Sequence, residues 1–275
     1  MDKYLYFSTI PIAIFLMVYL KPRIILLLYT KGLRTSNYHG REVVYGAGLV
    51  FLIPCIISVL PLWDQVGKDN LMIYLAVLLS MTLMGYLDDS LGDSSRKGFK
   101  NHINGLLSGY VSTGIIKIVL GLIIGFIISK TYFTNILDIA FHTILFCLCV
   151  NFINLLDLRP GRAIKGFTIL ALLISLLSNF QSLWILLPIF SGLTIYIKDE
   201  MEERCMLGDT GSNLLGGALG FYTLIEGRPW TKYGLFGILL ILHFIAEFRS
   251  FSEIIDSNSI LKQVDNFGQL KRGGS

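Results

Sequence analysis

Two adjacent aspartates close an apolar run in the segment Gly85-Tyr86-Leu87-Asp88-Asp89. At the C-terminal end of a helix each carboxylate meets its neighbour's charge and the negative end of the helix dipole, so something must compensate them. Mg²⁺ fits that demand. It is typically held by one or two carboxylates together with substrate phosphate oxygens, and the pair suits it better than it suits zinc. Solvation at a membrane surface is the competing reading of an isolated Asp-Asp pair. A second cluster, Asn151-Phe152-Ile153-Asn154-Leu155-Leu156-Asp157, ends another apolar run. Positions three and six apart fall within a sector of about 120° on a helix, so Asn151, Asn154 and Asp157 can line one wall of a cavity. Hydrogen bonding that merely glues helices together, at about 1 kcal/mol per contact, would use the same spacing. Arg159, Arg162 and Lys165 follow, suited either to acidic headgroups or to substrate phosphates.

The third cluster is Met206-Leu207-Gly208-Asp209-Thr210-Gly211-Ser212-Asn213, ahead of a further apolar run. Glycines there allow close backbone approach, and a Thr or Ser cap leaves main-chain N–H groups for an anion. Asp209 within such a turn suggests a metal bridging protein to diphosphate. A G-D-x-G-S turn alone is an ordinary helix start. Together the clusters supply the two ingredients of metal-assisted phosphoryl transfer, carboxylates and an anion-binding turn.

The elements that must position these residues are membrane helices. The 275 residues are 53% hydrophobic and 15% charged, where a soluble domain carries about 25% charged residues, and the mean hydropathy is +0.65. Disordered, collagen-like and coiled-coil chains are excluded by the same figures. A net charge of +4 gives no reason to expect nucleic acid as a partner. The four cysteines, three in apolar runs and Cys205 in a polar loop, form neither a disulfide framework nor a zinc spacing. Nine apolar runs are predicted to be transmembrane helices in an all-α bundle: 4–20, 43–62, 71–87, 115–128, 136–156, 164–177, 183–197, 214–225 and 233–248. Alternate connections place eighteen of the 23 Lys and Arg on one side, so the positive-inside rule predicts an outside N-terminus and a cytoplasmic C-terminus. All three clusters then face the cytoplasm. With no internal repeat, residues 1–248 read as one transmembrane catalytic domain and residues 249–275 as a cytoplasmic, amphipathic tail.

With these motifs in their order, the chain resembles the polyprenyl-phosphate N-acetylaminosugar-1-phosphate transferase superfamily. Lys31-Gly32-Leu33, Asn37, Gly40 and Tyr45-Gly46-Ala47-Gly48 are similar to the family's first cytoplasmic loop. Asp88-Asp89 resembles its paired aspartates, Asn151 to Asp157 its N-x-x-N-x-x-D segment, and Gly208 to Ser212 its G-D-x-G-S loop. The resemblance implies transfer of a sugar phosphate from a UDP-N-acetylaminosugar, UDP-GlcNAc-like, to polyprenyl (undecaprenyl) phosphate with release of UMP. Mg²⁺ or Mn²⁺ is the implied cofactor, with Asp209 as metal ligand and Asp88 and Asp89 beside the diphosphate. One of that pair would take the lipid phosphate's proton, or a covalent aspartyl route would operate. Lys117 matches the family's lysine at the start of the fourth span, and a snorkelling surface lysine is the bland alternative for it. Asn154 and Asp157 would line the nucleoside side, with Lys31, Asn37, Asn151, Gly208, Thr210, Gly211 and Ser212 completing the substrate-binding set. The implied setting is the plasma (inner) membrane, multi-pass and surrounded by its lipids, with a cytoplasmic active site in cell-wall or surface-polysaccharide synthesis; a homodimer is allowed.

Departures accompany the resemblance. Asp157 is followed by Leu158-Arg159-Pro160-Gly161-Arg162 where the family continues D-G-x-D-G. The late histidine-rich motif and a tenth span are absent from this sequence, and His243 reads as a bundle residue. These features point away from the lipid I translocase within the family and leave the sugar open. Two other classes remain in view, an ion-coupled transporter or flippase and a catalytically divergent homologue that binds a lipid-linked precursor.

Overall fold

A computed structural model of the chain describes residues 3–37, 40–91 and 113–268. Among the eighteen basic residues assigned to one side, Arg96, Lys97, Lys100, Lys271 and Arg272 lie outside the described residues, as do the other tail positions from 269 to 275. Helix α1 (Thr9–Thr30) has 22 residues, about 33 Å at 1.5 Å per residue, enough to cross hydrocarbon. The second span is broken: a 3₁₀ turn at Ala47–Phe51, α2 (Leu52–Val59), a 3₁₀ turn at Leu60–Leu62 and α3 (Trp63–Val66) follow one another. Pro61, which lacks an N–H, sits in the second turn. Then come α4 (Lys68–Leu91), α5 (Thr113–Tyr132) and α6 (Ile136–Leu156), the last capped by the Asn135 side chain, which accepts from the Leu137 N–H at 2.9 Å. The remainder are α7 (Arg162–Leu177), α8 (Leu187–Met201), α9 (Gly208–Glu226), α10 (Pro229–Phe248), α11 (Phe251–Ser257) and α12 (Ser259–Asn266).

Each of the nine predicted runs is mainly helical, except that the run 43–62 opens with strand residues Val43 and Val44 and becomes helical only from Ala47. Six helical stretches among the described residues are long and apolar enough to cross a membrane: 4–30, 47–66, 68–91, 114–132, 136–156 and 229–248. Three runs differ from expectation. Helices α7 and α8, with 16 and 15 residues, are shorter than the roughly 20 a straight crossing needs. Helix α9 begins at Gly208, six residues before the apolar run at Leu214, so Gly208 to Ser212 form its first turns and not a loop before it.

Helix α9 is the axis of the molecule, packed chiefly against α4 and α6 and buried at every residue but Asp209 and Ile225. Small residues permit this. A side-chain carbon on Gly216 would come within 2.6 Å of the Val150 Cα, so only glycine lets α6 and α9 approach so closely. Two short strands, β1 (Arg34–Ser36) and β2 (Glu42–Val44), pair antiparallel as a hairpin on an otherwise helical chain. Val44 continues into a parallel bridge with Cys205, so the hairpin abuts the segment leading into α9.

Candidate active site

The first turn of a helix has N–H groups without intrahelical partners, at the positive end of the dipole. In α9 those groups go to carboxylates from two other helix ends. Asp157, the C-cap of α6, accepts from the Gly208 N–H. Asp89, in the last turn of α4, accepts from the Asp209 N–H (2.9 Å) through Oδ1 and from the Thr210 N–H (2.9 Å) and Thr210 Oγ1 (2.5 Å) through Oδ2. The Tyr45 hydroxyl donates to Asp89 as well. The expectation that this turn keeps its N–H groups for a phosphate is therefore corrected at Gly208, Asp209 and Thr210: the chain's own carboxylates satisfy them.

Asp88 turns elsewhere. Lys117 Nζ, from the first turn of α5, lies 2.8 Å from Asp88 Oδ2 and 2.5 Å from Asp209 Oδ2. The Asp88 and Asp209 carboxyl groups are also within hydrogen-bonding reach of one another. All three side chains are about one-fifth exposed (18–21%), open enough to meet a ligand yet poorly hydrated. Glu200, beyond the apolar part of α8, completes the acidic group. It accepts from Tyr196 Oη (2.7 Å) and, more loosely, from the Gly161 N–H (3.3 Å). Asp157 lies beyond the end of α6, and Asp209 ahead of the apolar run of α9. Lost hydration, then the charges of Glu200, Asp209 and Asp89, hold the Asp157 carboxyl well above the usual range. Burial, then contact with Asp88, pushes Asp209 up to about 7 against the pull of Lys117.

Close backbone contact fixes the frame. Met206 N–H donates to Val44 O (2.8 Å), Ala47 N–H to Met206 O (3.0 Å) and Gly48 N–H to Leu207 O (2.9 Å). A Cβ on Gly48 would lie 2.0 Å from Gly211 Cα, and one on Gly85 would lie 2.1 Å from the Asp209 carbonyl oxygen. The glycines of the first loop, of the Asp88-Asp89 motif and of the α9 start therefore serve one three-way contact.

The structure thus brings together Asp88, Asp89, Lys117, Asp157 and Asp209, with Gly208, Thr210 and Gly211 packed around them. Ser212 is buried and reaches back to the Asp209 carbonyl at 3.5 Å. Asn154 donates to Asn213 Oδ1 (3.1 Å), whereas Asn151, one turn earlier, is exposed. Asn37 closes the β1–β2 turn, accepting from the Arg41 N–H (2.9 Å) and donating to Glu203 Oε2 (2.8 Å). Lys31 is exposed at the C-terminal end of α1. Tyr45, Glu200 and Asn213 belong to the same neighbourhood; Tyr45 and Asn213 stand in the sequence motifs without an assigned role, and Glu200 in none. Tyr45 had a faint signal in its place beside Gly46-Ala47-Gly48; Glu200 had none. Among the described residues no group of three or more His, Cys, Asp or Glu is arranged as a metal site. The metal expectation therefore narrows. Asp89 accepts four hydrogen bonds, while Asp88 and Asp209, in mutual contact, form the hard-oxygen pair that fits Mg²⁺ plus phosphate oxygens.

These features define a polytopic helical membrane protein whose buried central helix starts in a cluster of carboxylates bridged by a lysine. No family model matches the chain. It is similar to the phospho-N-acetylmuramoyl-pentapeptide-transferases of Lactobacillus acidophilus (26% identical over 214 residues, 70% of this chain and 64% of the relative), Enterococcus faecalis (28% over 204 residues, 67% and 61%) and Lactobacillus gasseri (29% over 217 residues, 71% and 65%). The matched region thus spans just under two thirds of these relatives' own length. With the ordered motifs, these matches support the resemblance to the polyprenyl-phosphate N-acetylaminosugar-1-phosphate transferase superfamily, with this chain as a divergent relative.

Proposed function

We propose that the protein transfers a sugar 1-phosphate from a UDP-N-acetylaminosugar to a polyprenyl phosphate, in cell-wall or surface-polysaccharide synthesis. An oxygen of the lipid phosphate attacks the β-phosphorus of the UDP-sugar; a new P–O bond forms, the diphosphate bond breaks and UMP leaves. The observation that carries this reading is Lys117 held between Asp88 and Asp209 at the start of α9, within a group of five acids. Such an excess of carboxylates is suited to a divalent cation, which would offset the charge of a diphosphate brought beside them.

Asp88 and Asp209 would hold a divalent cation, Mg²⁺ or Mn²⁺, which when bound neutralises charge on the diphosphate oxygens. Lys117 then pairs with phosphate oxygens in place of the carboxylates. Asp88, partly exposed, takes the proton of the incoming lipid phosphate. Asp89 and Asp157 act through α9, fixing the place of Asp209 by binding the main chain on either side of it. Asn154 and the Asp157 end of α6 face the nucleoside. The site would open to the cytoplasm of a multi-pass inner-membrane protein, a reading supported by the predicted bias of eighteen of 23 basic residues to that side.

The relatives' names point to a muramoyl-pentapeptide donor, whereas the departures after Asp157 point away from it and leave a UDP-GlcNAc-like donor as the alternative. Purified protein with undecaprenyl phosphate, Mg²⁺ and both donors separates them by UMP release. Asp209→Asn should lower release by about 10²-fold or more. No release from any UDP-sugar, or full activity in Asp209→Asn, overturns the proposal.

A further inference from the structure

Helix α12 is built inside out for a segment in water. Its single buried residue is an acid, Asp265 (4% exposed), while Ile260 (70%), Leu261 (42%) and Val264 (43%) and the adjoining Phe267 (79%) are exposed. At 100° per residue these four form one stripe, and Lys262 and Asn266 lie on the opposite side. Asp265 is held by Arg162, Nε to Oδ1 at 2.9 Å and NH2 to Oδ2 at 2.8 Å, and Lys165 donates to the Asp265 carbonyl. Arg159 grips Asp256 of α11 in the same bidentate way, at 3.1 and 2.7 Å.

These anchors set the depth of the helix. Arg162 is the first residue of α7 and follows the end of the membrane-length helix α6 at Leu156, so a helix pinned to it sits at the level where the bundle leaves the bilayer. The chain reaches α11 and α12 directly from α10, another membrane-length helix, whose last turns expose Phe244 (68%) and Phe248 (73%). The stripe on α12 thus follows, along the chain, a membrane-length helix that ends in exposed apolar side chains.

We propose that α12 lies flat in the membrane surface, its stripe from Ile260 to Phe267 immersed among the acyl chains of the leaflet on the Asp88–Asp209 side. The Arg162–Asp265 pair fastens it, and the Arg159–Asp256 pair fastens α11 before it, to the α6–α7 turn, five residues or fewer from Asp157. The cations that follow the Asn-rich motif thus serve to seat an interfacial helix, with their charge spent on this chain's own acids.

The full chain, reconstituted in vesicles of phosphatidylethanolamine and phosphatidylglycerol, tests this with one added tryptophan at a time: Ile260→Trp, Val264→Trp, Lys262→Trp and Asn266→Trp. All four positions are exposed, and each emission is read as a difference from the parent chain with its three native tryptophans. Acyl-brominated lipid should quench the added emission of the first two about twofold or more, and aqueous iodide should quench the last two instead. Iodide quenching at all four positions would place α12 in water and overturn the proposal. Protection of Ile260→Trp and Val264→Trp from both quenchers would mean that protein, such as a second copy of the chain, covers the stripe, and would overturn it equally.

Discussion

Asp88 and Asp89 are neighbours in sequence with opposite surroundings. Replacing Asp89 with alanine strands the N–H groups of Asp209 and Thr210 and the hydroxyls of Thr210 and Tyr45. Each unsatisfied buried donor costs about 1–3 kcal/mol, so Asp89→Ala should lower the melting temperature in detergent sharply. Asp88→Asn keeps its size and leaves Lys117 paired to Asp209, so it should melt as the parent does while UMP release falls at least tenfold. Equal melting losses in both variants would contradict this division. The acids themselves were legible because carboxylates at the ends of apolar runs are costly and invite a partner. Their separate employments were not, since adjacent aspartates read identically until the fold shows which one meets α9. Glu200 was illegible for a related reason. Its burial depends on Tyr196 and on the α7 start at Gly161, distant in sequence, and nothing around it marks it apart from its neighbours Asp199, Glu202 and Glu203.

At the scale of elements, the welding of three segments around the α9 start makes specific substitutions expensive. Gly48→Ala and Gly85→Ala each drive a methyl group into main-chain atoms of the α9 start, and helix backbone cannot yield as a flexible side chain would. Overpacking of about 1–3 kcal/mol or more is expected, visible as reduced melting temperature and folded yield, whereas Gly237→Ala, with nothing within 4 Å, should be tolerated. The buried pair Arg162–Asp265 allows a second comparison. Arg162→Ala leaves the buried Asp265 carboxylate with only the longer contact to Arg159 (3.8 Å), a loss of up to about 3–5 kcal/mol, while the double change Arg162→Met with Asp265→Leu should recover most of the stability. Helices were legible wherever an apolar run was long. The start of α9 was misplaced because Asp209, Thr210, Ser212 and Asn213 break the run; they are helical because Asp89, Asp157 and Asn154 satisfy them. The hairpin was missed because Arg34-Thr35-Ser36 and Glu42-Val43-Val44 are too short to show alternation.

For the whole molecule, the charge asymmetry predicts which end meets which compartment. In intact cells, Lys130→Cys at the C-terminal end of α5 should react with a membrane-impermeant maleimide, and Lys198→Cys near the end of α8 should react only after lysis. The reverse pattern would invert the proposed orientation. The bridge made by Lys117 has a consequence for how such a molecule is made and handled. A small zinc module cannot fold until its metal arrives, because nothing else offsets the ligands. Here a lysine supplied by the chain already stands between the two carboxylates. Chelator should therefore stop UMP release and leave the melting curve where it was, with activity restored on adding Mg²⁺. The divalent ion would then belong to the turnover cycle, arriving and leaving with its substrates, and the scaffold could be assembled, purified and stored without it.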